Sequence, residues 1–116
     1  MDKSIMFGPA DLGWAPTLAE VGEQMSAVLG FPLGPVTGGE SLHGYSDGTH
    51  AWLTFGQADN EPFRSHPYDL AVSTGGDVEP ILHALCDRLA EQGRWRLMLI
   101  FHDECVRSTH FPCDEW

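Results

Sequence analysis

The sequence predicts an α+β two-layer sandwich, in which two helices cover one face of a four- to five-stranded, mostly antiparallel sheet. Three observations predict it. Val78, Ile81, Leu82, Leu85 and Leu89 recur at the spacing of a single helical face, with Asp87, Arg88, Glu91 and Gln92 mostly off it. Leu97-Met98-Leu99-Ile100-Phe101 is an unalternating apolar run too short for a helix, the pattern of a strand covered on both faces. Asp47-Gly48 separates two strand-like arms and supplies the positive φ that a type I′ hairpin turn requires. Two helices with one apolar stripe each cannot bury both stripes as a bundle, so both belong on the sheet.

Taken in order, Ser4 to Phe7 reads as a short first strand closed by Gly8-Pro9. Thr17 with Glu20 three residues on is a capping box, which starts a helix at Leu18. Leu18, Val21, Met25, Val28 and Leu29 form its apolar face, and Gly30 with Pro32 just beyond stops it. The Gly- and Pro-rich segment that follows holds one short strand near Val36. In the second hairpin arm Ala51, Leu53 and Phe55 share one face and His50, Trp52 and Thr54 the other. Gly56 to Pro67 is a polar connection long enough to carry function. Tyr68, Leu70 and Val72 then mark the core face of a further strand. Asp77 is placed to accept from a first-turn N–H of the second helix, Pro80 sits where its missing donor costs little, and Gly93 ends that helix. Residues 104–116 read as an irregular acidic tail, in which Val106 to Phe111 offers an edge strand, and the 116 residues as one domain.

Charge is the most informative total, six Lys plus Arg against seventeen Asp plus Glu, net −11. Such a surface repels phosphate backbones, which disfavours direct nucleic-acid binding, and attracts cationic proteins. No apolar run is long enough to span a bilayer, and the N-terminal residues lack a signal-peptide pattern, so a cytoplasmic location with no membrane association is expected. Three cysteines, Cys86, Cys105 and Cys113, are an odd number, which argues for reduced thiols over a fully paired framework.

Three constellations could carry chemistry. Each cysteine follows a histidine by three residues, and His102, Cys105, His110 and Cys113 together offer four zinc-type donors within twelve residues. Two considerations oppose that site: residues three apart on a strand face opposite sides, and the gap between the two pairs is short for a zinc module. Cys86 beside the apolar stripe fits a small buried hydrophobe better than a ligand partnered by His83. Thiol catalysis would need an electropositive neighbourhood, whereas the tail carries Asp103, Glu104, Asp114 and Glu115. With no nucleophile elbow, phosphate loop or His-Glu-x-x-His motif, no enzyme activity and no cofactor are expected. The remaining constellation is a protein-binding patch of Asp59, Glu61, Asp103, Glu104, Asp114 and Glu115 with the aromatic residues Tyr45, Trp52, Trp95 and Trp116.

The order of elements from Ser4 to Asp103, the core strand Arg96 to Phe101 after a helix ending at Gly93, and the acidic charge together resemble the small immunity proteins that bacteria encode beside polymorphic or contact-delivered toxins. The resemblance implies an inhibitor that works without catalysis and occludes the active site of a cognate, often basic, toxin domain. Within it, Asp59, Glu61, Asp103, Glu104, Asp114, Glu115, Trp116 and Trp52 are the residues expected to meet the partner, their carboxylates pairing with its Arg and Lys. The alternative expectation is a zinc-stabilised binding module built on His102, Cys105, His110 and Cys113.

Overall fold

The computed structural model describes residues 3–36, 41–56 and 59–115, with Glu115 described by its backbone alone. Its elements are β1 (Lys3–Pro9), α1 (Leu18–Leu29), β2 (Gly34–Pro35), β3 (Ser41–Ser46), β4 (Thr49–Phe55), β5 (Tyr68–Ser73), α2 (Glu79–Gln92), β6 (Trp95–Phe101) and β7 (Glu104–Ser108), followed by a 3-10 turn, Cys113–Glu115. The strands make one sheet in the order β2-β3-β4-β5-β1-β6-β7, and every pairing is antiparallel. The fold is thus α+β as expected, with seven described strands instead of four or five. The two beyond that count are the edges, each close to a short strand the sequence offers: β2, two residues long, lies beside the strand expected near Val36, and β7 shares Val106 to Ser108 with the edge strand expected at Val106 to Phe111, its ladder interrupted by a register shift between Leu99 and Ile100.

Local chemistry accounts for the element ends. The Thr17 hydroxyl accepts from Glu20 N–H while the Glu20 carboxylate accepts from Thr17 N–H, closing the capping box. Gly30 and Gly93 end the helices in the left-handed region. The Asp77 carboxylate does accept from a first-turn N–H, that of Glu79, although the residue in the N-cap position is Val78. Asp47 and Gly48 both take positive φ, which closes the β3–β4 hairpin in the register Ser46 opposite Thr49.

β5 and β6 flank β1, both antiparallel to it, so the α2 connection crosses over the central strand. Ile5, Phe7, Leu53, Leu70, Leu82, Leu89, Leu97 and Leu99 are fully buried between this helix layer and the sheet, joined by Val21, Met25 and Val28 of α1. Cys86 is 1% exposed within that core. Trp95 also belongs to it, against Phe7 and Trp14, and so is not part of an exposed aromatic patch.

The second face of the sheet is divided. On the β1–β6–β7 side Met98 is 0% and Ile100 7% exposed although neither meets a helix. Ser108 and Cys105 stand opposite Met98 and Ile100 on this face, and both hold the segment that follows β7: Ser108 Oγ donates to the Phe111 carbonyl, and Cys105 is bonded to Cys113. The disulfide corrects the expectation of reduced thiols and explains how the end of the chain is laid over apolar strand residues. On the β3–β4–β5 side this face has no such cover among the described residues. His43, His50 and Trp52 are half-buried there and Tyr45 is 58% exposed.

Candidate functional site: an aromatic face with an acidic cleft

Register sets the site. Across β1, β5, β4 and β3 the second face reads in rows: Met6, Asp69, Thr54 and Ser41, then Ser4, Ala71, Trp52 and His43, then Ser73, His50 and Tyr45 over the last three strands. The β4 alternation recognised in the sequence places Trp52 on this face. The two-residue turn at Asp47-Gly48 brings His43 opposite Trp52 and Tyr45 opposite His50, a pairing the sequence reading left unused although counting outward from the turn yields it.

These four rings form one stack. Trp52 and His50 lie at 5.4 Å with planes 13° apart, His50 and His43 at 5.1 Å, and Tyr45 and His50 at 4.6 Å. His43 Nε2 and His50 Nδ1 are 2.8 Å apart, so one nitrogen carries the proton and the other accepts it. Cross-strand aromatic pairs of this kind stiffen the hairpin while presenting ring edges to solvent.

Beside the stack, at the Pro9 end of β1, lies a cleft of about 360 Å³ lined by Met6, Thr54, Phe55, Gly56, Phe63, His66, Pro67, Tyr68 and Asp69. Its polar floor is Asp69, between Met6 and Thr54 in the first row. Burial pushes the Asp69 carboxyl pKa up, and a hydrogen bond from Ser4 opposes the shift. No basic side chain of the described residues pairs with this carboxylate.

The wall formed by the Asp59–Pro67 loop is fixed by His66, which is 2% exposed. Its Nδ1 faces the Pro62 carbonyl at 3.0 Å, an acceptor that only an N–H can satisfy, so Nδ1 carries the proton. Ser65 Oγ, itself donating to the Glu61 carboxylate, shares that proton at 3.0 Å. Burial lowers the His66 pKa, with the Pro62 bond opposing. Burial therefore favours the neutral imidazole. Its Nε2 and the neighbouring Arg96 Nε are buried with no hydrogen-bond partner among the described residues. The loop reaches the sheet because Gly8 has no side chain: a Cβ there would overlap the Ser65 carbonyl oxygen.

The acidic residues singled out in the sequence do not form one patch. Asp59 and Glu61 are exposed in the loop at the Pro9 end of β1, which the pairing of Gly8 with Arg96 and Phe7 with Tyr68 fixes. Asp103 and Glu104 belong to the β6–β7 turn beside Lys3, at the opposite end of a seven-residue strand, about 20 Å away. Asp114 follows Cys113 and stays with this second group through the disulfide, Trp116 lies outside the described residues, and of Glu115 only the backbone is described. Trp52 thus stands on the second face and Asp59 and Glu61 in the loop at the Pro9 end of β1, while Asp103, Glu104 and Asp114 lie at another corner.

The zinc-type set is taken apart as well. Cys105 and Cys113 are bonded to each other, so neither is a thiolate. His102 turns at one end of β7 with φ 53°, while His110 adjoins Thr109, whose N–H bonds Leu97 at the other end. Among the described residues no group of three or more His, Cys, Asp or Glu converges as a metal site, and no helix is long and apolar enough to cross a membrane.

Comparison with protein-family models, with curated proteins and with solved structures returns no significant match.

Proposed function

We propose that this chain is a non-catalytic inhibitor of the immunity-protein kind, which binds a basic toxin domain through the open β3–β4–β5 face and occludes its active site. The observation that carries the reading is the ring stack Tyr45, His50, His43 and Trp52, half-buried to exposed and without cover among the described residues, on a sheet face whose other half is covered. Aromatic anchors near the middle of a patch, rimmed by charge, are what protein interfaces use. The adjoining loop carries Asp59 and Glu61 against one cation, Arg64, and the cleft adds Asp69.

The molecule's own cations support it. Five of the six basic side chains are engaged internally: Arg88 donates to Val28 O, Arg94 to Gln24, Arg96 to Ala10 O, Lys3 pairs with Glu79 and Arg107 with Asp87. A net charge of −11 is thus left to face a partner, which favours fast capture of a cationic one. The cytoplasm is proposed as the compartment, since an inhibitor of a delivered toxin must meet it where the toxin acts. The Cys105–Cys113 bond supplies a check on that point, because a reducing cytosol opposes it. Thiol counting in fresh lysate is expected to find the pair reduced in the cytoplasmic pool, and a pair intact there at full occupancy moves the proposal to an oxidising compartment.

The test of function is complex formation with the product of the adjacent gene, followed by calorimetry. A complex of micromolar affinity or tighter is expected, weakened by added salt, by Asp59→Lys with Glu61→Lys, and by Trp52→Ala. No complex at micromolar concentration, or one indifferent to both salt and these changes, contradicts it.

A further inference from the structure

The cleft beside the ring stack has a composition more specific than its acidity. Its floor is a carboxylate, Asp69, held among Met6, Thr54, Phe55 and Tyr68, and its rim carries Phe63, 42% exposed. A carboxylate so placed has lost part of its hydration, and its described protein partner is the Ser4 hydroxyl. It retains acceptor capacity, since two carboxylate oxygens offer about four lone-pair sites. What would satisfy it is a donor carrying positive charge on an apolar stem.

We propose that this cleft receives one arginine side chain of the cationic protein partner, the guanidinium on the Asp69 carboxylate and the aliphatic stem along Met6 and Thr54. Arginine fits better than lysine on two grounds. Its planar fork engages a carboxylate with two parallel hydrogen bonds, and it stacks on an aromatic face, which Phe63 offers at the rim. A less strongly hydrated cation also enters a half-apolar cleft at lower desolvation cost than an ammonium. Burial disfavours the charged form of His66 in the wall, which limits the positive charge that this side chain sets against an incoming cation. A cavity of similar size between α1 and the β3–β4 turn is less suited. Its cation, Arg88, already donates to the Val28 carbonyl, and its single carboxylate, Asp47, sits in the turn.

The inference rests on the reading of this face as a protein-binding surface, and it makes the cleft an anchor within it. Anchors of this type are arginine or aromatic side chains that fill a desolvated pocket within the interface.

The probe is a capped Gly-Arg-Gly tripeptide titrated into the ¹⁵N-labelled full chain, with the citrulline peptide as neutral isostere and the lysine peptide as the alternative cation. The arginine peptide is expected to shift the backbone amides of Met6, Thr54, Gly56 and Asp69 saturably. Citrulline is expected to bind at least tenfold more weakly and lysine severalfold more weakly. Asp69→Asn, which keeps shape and removes charge, should weaken the arginine response at least tenfold with the remaining spectrum unchanged. Phe63→Ala, at an exposed position, should weaken it severalfold without touching the core. Equal responses to arginine and citrulline, shifts centred on Asp103, Glu104 and Asp114, or an unchanged response in both variants overturn the proposal. Those results leave the inhibitor reading standing if the adjacent gene product still binds, whereas a functioning cleft with no such complex removes the inhibitor reading alone.

Discussion

At the scale of single residues, His66 couples loop position to pH. Its folded pKa lies below the ordinary 6.5 because burial penalises the imidazolium, so below 6.5 the unfolded chain takes up a proton that the folded chain refuses. Stability is therefore complete above 6.5 and is lost as pH falls through the folded value. Urea midpoints should decline from pH 7.5 to pH 5.5 in the native chain and decline less in His66→Gln. An equal decline in both would assign the dependence to other groups. Gly8 and Gly22 offer a second contrast. A Cβ at Gly8 would strike backbone, the Ser65 carbonyl, whereas one at Gly22 would strike the end of the flexible Leu42 side chain. Gly8→Ala should cost about 1–3 kcal/mol and loosen the loop. Gly22→Ala, gaining up to about 1 kcal/mol of helix propensity, should be close to neutral in thermal unfolding. Gly22 stands inside the apolar helix pattern from Leu18 to Leu29, where a glycine marks close packing. Gly8 read only as punctuation, because the loop it admits lies almost sixty positions away.

At the scale of elements, those whose signals are local were legible and those made by distant pairing were not. The Thr17 capping box, the Asp47-Gly48 turn and the Gly30 and Gly93 stops act within four residues, and each stands where its chemistry puts it. Thr17→Ala should cost about 1 kcal/mol, read by denaturant midpoint. β7 was legible only in part, as an edge strand at Val106 to Phe111 where the strand runs Glu104–Ser108, because this segment is mostly polar and its ladder shifts register against β6, so no period of two marks its bounds. Its anchorage is equally nonlocal, through Arg107 to Asp87 on α2 and Cys105 to Cys113 across eight residues. The Arg107–Asp87 pair is largely exposed and contributes little. The disulfide closes a short loop worth about 2–3 kcal/mol by chain entropy. Cys113→Ser, or reductant, should lower the unfolding free energy by about that amount and increase binding of an apolar dye as Met98 and Ile100 lose their cover. An unchanged melting curve would show that the last residues hold their place without it.

At the scale of the whole molecule, the sheet has one face committed to the helices and half of the other committed to the chain end, which leaves the β3–β4–β5 half as an aromatic surface without cover among the described residues. The sequence carried the parts of this surface, Trp52 by alternation and Asp59 and Glu61 by loop composition. It did not carry the strand order that sends Asp103 and Glu104 to the far end or brings Asp69 beside Met6. We propose this half-face as the interface. Amide shifts of the ¹⁵N-labelled chain on saturation with the unlabelled product of the adjacent gene test it most directly. The largest changes are expected on Tyr45, His50, Trp52, Thr54 and Asp69, with α1 and α2 little affected. A footprint on the outer surface of the helices, or on the β6–β7 turn at Asp103 and Glu104, would contradict it.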